Sequence, residues 1–245
     1  MDGHDSEYYP AQPNDVFEVR HVLVKFLPAE LVNTILDDAQ YWPRIRASRD
    51  ILVTVNAARS TNNDAALCYL VTPQFPSRET LGGPGARLRV KCVKFRILSN
   101  DQGWSSAPQF HGTYNGSYTW FEAAILRPGP RPELQGWRRW ALAMGSTRFL
   151  PSRPLIEVKN PHEEGGRWLI QRNRCASKEP LLHTVVWVPG RAEAKPEEEE
   201  RGRGHGSGFT DLLDPEDRIG IVARAMYPGW INCIRSVEVV VYYAV

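Results

Sequence analysis

Short runs of β-branched and aromatic residues, each closed by Gly, Pro, Asn or Asp, constrain this chain more than any other feature. They are ILVTVNA at 51–57, LCYLVT at 67–72, RLRVKCVKFRIL at 87–98, SYTWFEAAIL at 117–126, RWLIQR at 167–172, HTVVWV at 183–188, RIGIVARA at 218–225 and IRSVEVVVYYA at 234–244. In the last run Val237, Val239, Val241 and Tyr243 share one face, with Glu238, Val240 and Tyr242 on the other. In the run at 87–98 the apolar phase passes from even to odd positions between Cys92 and Val93. That switch predicts a bulge, or a strand covered on both faces. Many short strands and few helical patterns predict a mainly β fold. The expected architecture is a two-sheet β-sandwich, jelly-roll-like, with a short N-terminal helical element.

The helical element is legible at 28–42. Pro28 suits a first helical position, where its missing N–H costs nothing. Glu30 lies in the first turn, which favours an acid. Leu31, Ile35, Leu36, Ala39 and Trp42 recur on one face, a stripe that would pack on the β domain, and Pro43 is a natural stop. Residues 16–26, VFEVRHVLVKF, read as a strand or as the lead-in to this helix. The expected organisation is a disordered N-terminus at 1–15, a helical element at 16–47 and a β-sandwich at 48–245. Residues 73–86 and 128–136 read as loops, and 190–208, GRAEAKPEEEERGRGHGSG, as a mobile polar insertion without core material.

A chain of 245 residues can bury a sizeable core unaided. A net charge of +2 sets up no overall field for nucleic acid or an acidic membrane, so neither is an expected partner. Cys68, Cys92, Cys175 and Cys233 are widely spaced, form no CxxC pair and read as reduced, mostly buried thiols. The polar, acidic N-terminus lacks the apolar core of a secretory signal, and no apolar run reaches the length of a membrane span. The expected location is cytoplasmic or nuclear.

Two strand-like runs end in Gly-containing turns that present an indole: one at Trp104, the other at Trp230. Around the first, Asn100, Asp101, Gln102, Ser105, His111, Thr113, Asn115 and Ser117 are interleaved with Trp104, Tyr114, Tyr118 and Trp120. Around the second stand Arg224, Tyr227, Trp230 and Asn232. Sugars need planar polar side chains to share hydrogen bonds with hydroxyls, and an aromatic face for the apolar side of the ring. If both turns meet at one end of the sandwich they make a rim with convergent polar groups. The candidate ligand-binding residues are therefore Asn100, Asp101, Gln102, Trp104, His111, Tyr114, Arg224, Tyr227, Trp230 and Asn232. Turn chemistry and strand-end packing also use these residue types, so a structural protein-interaction domain with no small-ligand site is the alternative.

The segment LPAELVNTIL at 27–36 resembles the opening of an F-box, through Leu27, Pro28, Glu30, Leu31, Ile35 and Leu36. The resemblance covers ten to fifteen residues and does not extend to the later helices of that family. It implies docking on a Skp-type ubiquitin-ligase adaptor through Leu27, Pro28, Leu31 and Ile35. The domain behind it would then bind a substrate. The stretches DQGW, GTYNGSYTWFE and PGWIN also look like those of uncharacterised fungal proteins that pair an LPxEL-type helix with a β domain. Some plant F-box proteins join a similar helix to a glycan-binding jelly roll, an analogy of fold alone.

Catalysis is not expected. Ser105 or Ser106, His111 and Asp101 hold the residue types of a hydrolase, but the G-x-S-x-G elbow is missing. The histidines form no HxH or HExxH pair, so neither a metal nor another cofactor is expected. The acidic run LLDPEDR at 212–218 lacks EF-hand spacing and reads as a turn before a strand. Arg138, Arg139, Arg148 and Arg153, with Trp137 and Trp140 between them, have the texture of a single-strand nucleic-acid groove, which the near-neutral charge disfavours.

Overall fold

A computed structural model describes residues 10–129, 154–163, 165–190 and 200–245. The basic stretch at 137–153 lies outside them, as do 1–9, most of the loop at 128–136, and 191–199 of the polar insertion.

Among the described residues ten strands form two antiparallel sheets. In the first, β1 (Arg44–Arg49) and β2 (Val53–Asn56) both pair with β10 (Ile231–Ala244), followed by β4 (Arg89–Asn100) and β8 (Leu181–Trp187). The second runs β3 (Asp64–Val71), β9 (Arg218–Met226) and β5 (Thr119–Pro128), with β6 (Leu155–Val158) and β7 (Trp168–Arg172) both against β5. Taken as one interrupted strand each, β1/β2 and β6/β7 leave eight strands, paired in chain order 1-8-3-6 and 2-7-4-5. That is the jelly-roll arrangement, so the fold is a mainly β, two-sheet sandwich. The break in the first strand, at 50–52, is filled from the facing sheet. Tyr69 sits at a register shift in β3; its hydroxyl donates to Ile51 O (2.7 Å) and accepts from Ile51 N (3.2 Å).

The bulge expected in β4 is present, one residue earlier than the pattern put it. Tyr242 and Tyr243 of β10 face Cys92 and Val90, leaving Lys91 unmatched. Val90 is buried before it, and Val93, Phe95 and Ile97 after it. Two strands escaped the sequence reading. β1, RIRASR, buries only Ile45 and Ala47 against the core, and β6 has four residues.

The N-terminal segment differs more. Residues 16–26 are not a strand: α1 spans Pro13–Leu23 and begins inside the stretch expected to be disordered. Pro13 occupies the first turn, and Asp15 Oδ2 accepts from the Ala11 and Gln12 amides at 2.8 and 3.0 Å. The second helix, α2, covers Ala29–Asp38 rather than 28–42, because Gln40 takes a left-handed φ of 49°. Its buried face is Val32 and Leu36, packed with Val16 of α1. Leu31 and Ile35 of the expected stripe are 52% and 43% exposed instead. None of the described helices is long and apolar enough to cross a membrane.

The core is pinned by indoles from both sheets. Phe95 and Trp187 meet edge to face at 4.7 Å; Phe209 of the short helix α3 (Phe209–Leu212) packs on Trp187 at 4.9 Å and on Trp168 at 5.0 Å. Each buried indole also needs an acceptor. Trp187 Nε1 donates to Gly204 O and Trp168 Nε1 to Ser207 O, both at 2.8 Å. Residues 201–208, expected to belong to a mobile insertion, are thus a strap across the sandwich. The Gly204 backbone lies so close to β7 that a Cβ there would fall 1.7 Å from Leu169 O. Gly204→Ala should therefore destabilise the chain by about 3 kcal/mol or more, since neither backbone can yield without losing an indole acceptor. Urea unfolding of the two proteins measures this.

Candidate functional site

The two indole-bearing turns lie side by side because their strands do: β4 ends where β10 begins, with Asn100 opposite Cys233. Gln102 ties them together. Its Nε2 donates to Trp104 O at 2.6 Å, and its Oε1 accepts from Ile231 N at 3.1 Å. The Trp104 ring lies over Gly229, where a Cβ would come within 3.2 Å of its edge and where φ is +87°. Tyr118, just before β5, joins the group edge to face, 4.7 Å from Tyr227 and 5.3 Å from Trp230. Trp104, Tyr227 and Tyr118 are 58%, 50% and 39% exposed, and Trp230 is half-buried between them. Four aromatic rings from three segments therefore share one end of the sandwich.

Beneath this rim lies a buried polar network joining the sheets. Asn173, after β7, donates to Thr119 Oγ1 (3.0 Å) and Asn232 Oδ1 (2.9 Å), while its Oδ1 accepts from Ser99 Oγ (2.7 Å). Asn232 donates to the Trp120 and Arg224 carbonyls, both at 3.1 Å. Asp101 accepts from Gly103 N (2.7 Å), Ala176 N (2.6 Å) and Ser177 N (2.9 Å), which fixes the loop that carries Trp104. Burial lifts the Asp101 carboxyl above the usual carboxylate range despite these three donors.

The candidate residues accordingly divide. Gln102, Trp104, Tyr227 and Trp230 meet at the rim. His111 is exposed on the same loop, with Nε2 against Ser105 O at 2.9 Å. Asp101 and Asn232 are buried and committed to backbone and network partners, so they are framework and cannot touch a ligand. Asn100 is half-buried and donates to Asp101 O. Tyr114 turns away, its hydroxyl 3.3 Å from Nε2 of the buried His183. Arg224 lies on the outer face of the second sheet, paired with Glu122 (3.2 Å) and Asp64 (2.5 Å).

Tyr118 was within sight of the sequence reading but was not among its ten chosen residues. Its two-residue offset from Trp120 and Glu122 along β5 is the signal that puts all three on one face. The hydrolase constellation does not assemble, since His111 meets the Ser105 carbonyl and Asp101 is filled by amides. Asp217 of the acidic run is buried against Arg127 at 2.8 Å. Among the described residues no group of three or more His, Cys, Asp or Glu side chains could hold a metal ion. All four cysteines are free thiols; Cys68 and Cys175 are buried, and burial raises the Cys68 thiol to about 12.

Asp101→Ala should lower stability by about 2 kcal/mol or more, because three amides lose a buried acceptor. Trp104→Ala should leave thermal stability nearly unchanged; melting curves of the two variants separate frame from rim. His183 gives a second expectation. Burial, and then the nearby Arg203 charge, push it from 6.5 to about 4. The unfolded chain therefore binds the proton first as pH falls, and this site's contribution is lost on the acid side. Between pH 7 and 5 that amounts to about 2 kcal/mol. Unfolding at both pH values should show it, and His183→Gln should remove it.

No family model and no curated protein matches the chain. Among solved structures it is similar to "Crystal structure of decameric BFDV Capsid Protein", at 13% identity and a TM-score of 0.27, over 83% of this chain and 99% of that one. At that level the fold rests on the strand topology of this chain itself.

Proposed function

We propose that the chain is a non-enzymatic recognition module that binds a glycan at the aromatic rim. The observation that carries this reading is the meeting of Trp104, Tyr118, Tyr227 and Trp230 at one end of the sandwich, with three of the rings open to solvent. Exposed flat rings suit the apolar face of a sugar, and Gln102 and His111 beside them offer amide and imidazole groups to hydroxyls. The rings rest on a frame whose polar atoms are paired internally, so the surface is preformed and little ordering opposes binding. A glycan array probed with the full chain tests this. Binding should fall at least about tenfold in Trp104→Ala, as for an aromatic anchor, while the melting temperature stays put. An array without signal would favour the structural protein-interaction alternative.

The exposed face of the helix pair favours a second contact. Phe26 is 79% exposed ahead of α2, and Leu31 and Ile35 on α2 are exposed as well. Leu31 and Ile35, with Leu27 and Pro28, are positions at which the chain resembles an F-box, and we propose that they dock a Skp-type adaptor. The chain would then present whatever the rim holds to a ligase. A pull-down with purified adaptor should capture the full chain and fail with the double variant Leu31→Asp, Ile35→Asp. Capture of neither would remove the adaptor role and leave the rim untouched.

A further inference from the structure

We propose that β8 is a docking edge for a second copy of this chain, pairing antiparallel with its counterpart about a twofold axis at Thr184. This pairing does not depend on what the aromatic rim holds. A strand at the edge of a sheet leaves half of its amides and carbonyls without partners, and proteins blunt such edges with breaks, bulges, charges or a covering segment. Among the described strands, three of the four sheet edges are blunted. β1 and β2 are separated by the break at 50–52, and β1 carries Arg44, Arg46 and Arg49. β3 opens on Asp64 and has its register shift at Tyr69. β7 is covered by the strap, where Arg172 N donates to Gly202 O at 2.8 Å and Gly204 N to Ile170 O at 3.0 Å, and β6 has only four residues. β8 has none of these devices. Its seven residues, LLHTVVW, run in unbroken register along β4 and include no Lys, Arg, Asp, Glu, Gly or Pro. Among the described residues no backbone group pairs with its other side.

The side chains select a second copy as the occupant. Leu182, Thr184 and Val186 alternate onto the outer face, where Leu182 and Val186 are 49% and 41% exposed. Thr184 is the midpoint of the strand. An antiparallel pair centred there sets Leu182 of each copy opposite Val186 of the other, and the two threonines opposite each other. On the inner face His183 meets Val185 and Leu181 meets Trp187. Every residue of β8 then has a partner, and each exposed apolar side chain on the outer face is matched by another. Moving the centre to His183 or Val185 brings Pro180 or Pro189 into the ladder, which a proline cannot join as a donor. Charge does not oppose the pairing. Arg96, beside Thr184 on β4, is held by Glu238 at 3.4 Å. Its counterpart stands three strand spacings away, about 14 Å, which is beyond the screening length at physiological salt. A seven-residue strand is about 24 Å long, so the pair buries less than the roughly 1,200–2,000 Å² of a tight complex. The dimer is therefore a weak one that forms and separates at micromolar concentrations. Leu181 pairs with Ser99 at the rim end of β4, so the twofold sets the two aromatic rims at opposite ends of one continuous sheet.

Sedimentation velocity of the full chain from about 1 to 500 μM tests this, and a shift from monomer to dimer with rising concentration is expected. Thr184→Lys sets two ammonium groups face to face and should weaken the dimer about tenfold or more, with the melting temperature unchanged. Thr184→Cys reads the register. Directly opposed residues lie about 4.5–5.5 Å apart between Cα atoms, within disulfide reach. Under mild oxidation this variant should give a covalent dimer. Leu182→Cys, offset by four residues from its own counterpart, should not, and neither should the unsubstituted chain with its half-buried Cys92 and Cys233. A monomer across the whole range would overturn the proposal, as would a dimer that persists in Thr184→Lys. Loss of the dimer in the Leu31→Asp, Ile35→Asp variant, with none in Thr184→Lys, would assign the contact to the helix pair instead. Cross-linking through Leu182→Cys and not through Thr184→Cys would overturn the twofold at Thr184. Each of these results leaves glycan binding at the aromatic rim where the array puts it.

Discussion

Everything at the aromatic end of the sandwich depends on Asn173. It lies in the interior, where an unpaired amide would cost about 1–3 kcal/mol. Its partners come from both sheets: Ser99 on β4, Thr119 on β5 and Asn232 on β10. An apolar contact at this point could slide; a set of short hydrogen bonds with fixed directions cannot without leaving a buried group unsatisfied. The register at which the two sheets face each other is therefore set just under the aromatic corner. That register decides whether Tyr118, from one sheet, reaches Tyr227 and Trp230, from the turn that links both. The polar residues hold the floor on which the rings stand.

This division explains what could be read in the sequence and what could not. The sandwich was legible because most strands carry their own alternation, as in Val237, Val239 and Val241. The bulge was legible because it leaves its mark on the phase of β4. The helix α1 was not, since Val16, Val19 and Val22 are β-formers by propensity. Pro13, the Asp15 cap and packing of Val16 on Val32 and Leu36 outweigh that weak preference. Composition near a turn says which groups are present but not whether they face in or out. Asp101 and Asn232 have the chemistry of a sugar site and spend it on backbone amides and carbonyls. The meeting of the two turns followed from the pairing of β4 with β10, which no local pattern announces.

The second sheet's outer face shows how a near-neutral chain still builds local character. Asp64, Glu122 and Glu157 each satisfy an arginine, and the indole of Trp120 takes the faces of two more contacts by donating to Glu122 at 2.7 Å while Arg224 and Arg172 approach its ring. Opposite charges cancel pairwise there, and what remains unmatched is small and localised. A field of that kind has short reach under physiological salt.

The strap at 201–208 has a consequence for how the chain tolerates change. Its carbonyls are captured at Gly204 and Ser207 by two indoles of the core, and its bridge to Gln171 anchors it to β7. The connection from β8 is thus clamped before it enters α3. The clamp fixes where the chain re-enters the sandwich, so the seating of Phe209 on Trp187 and Trp168 is set by two backbone carbonyls and not by side chains of the strap.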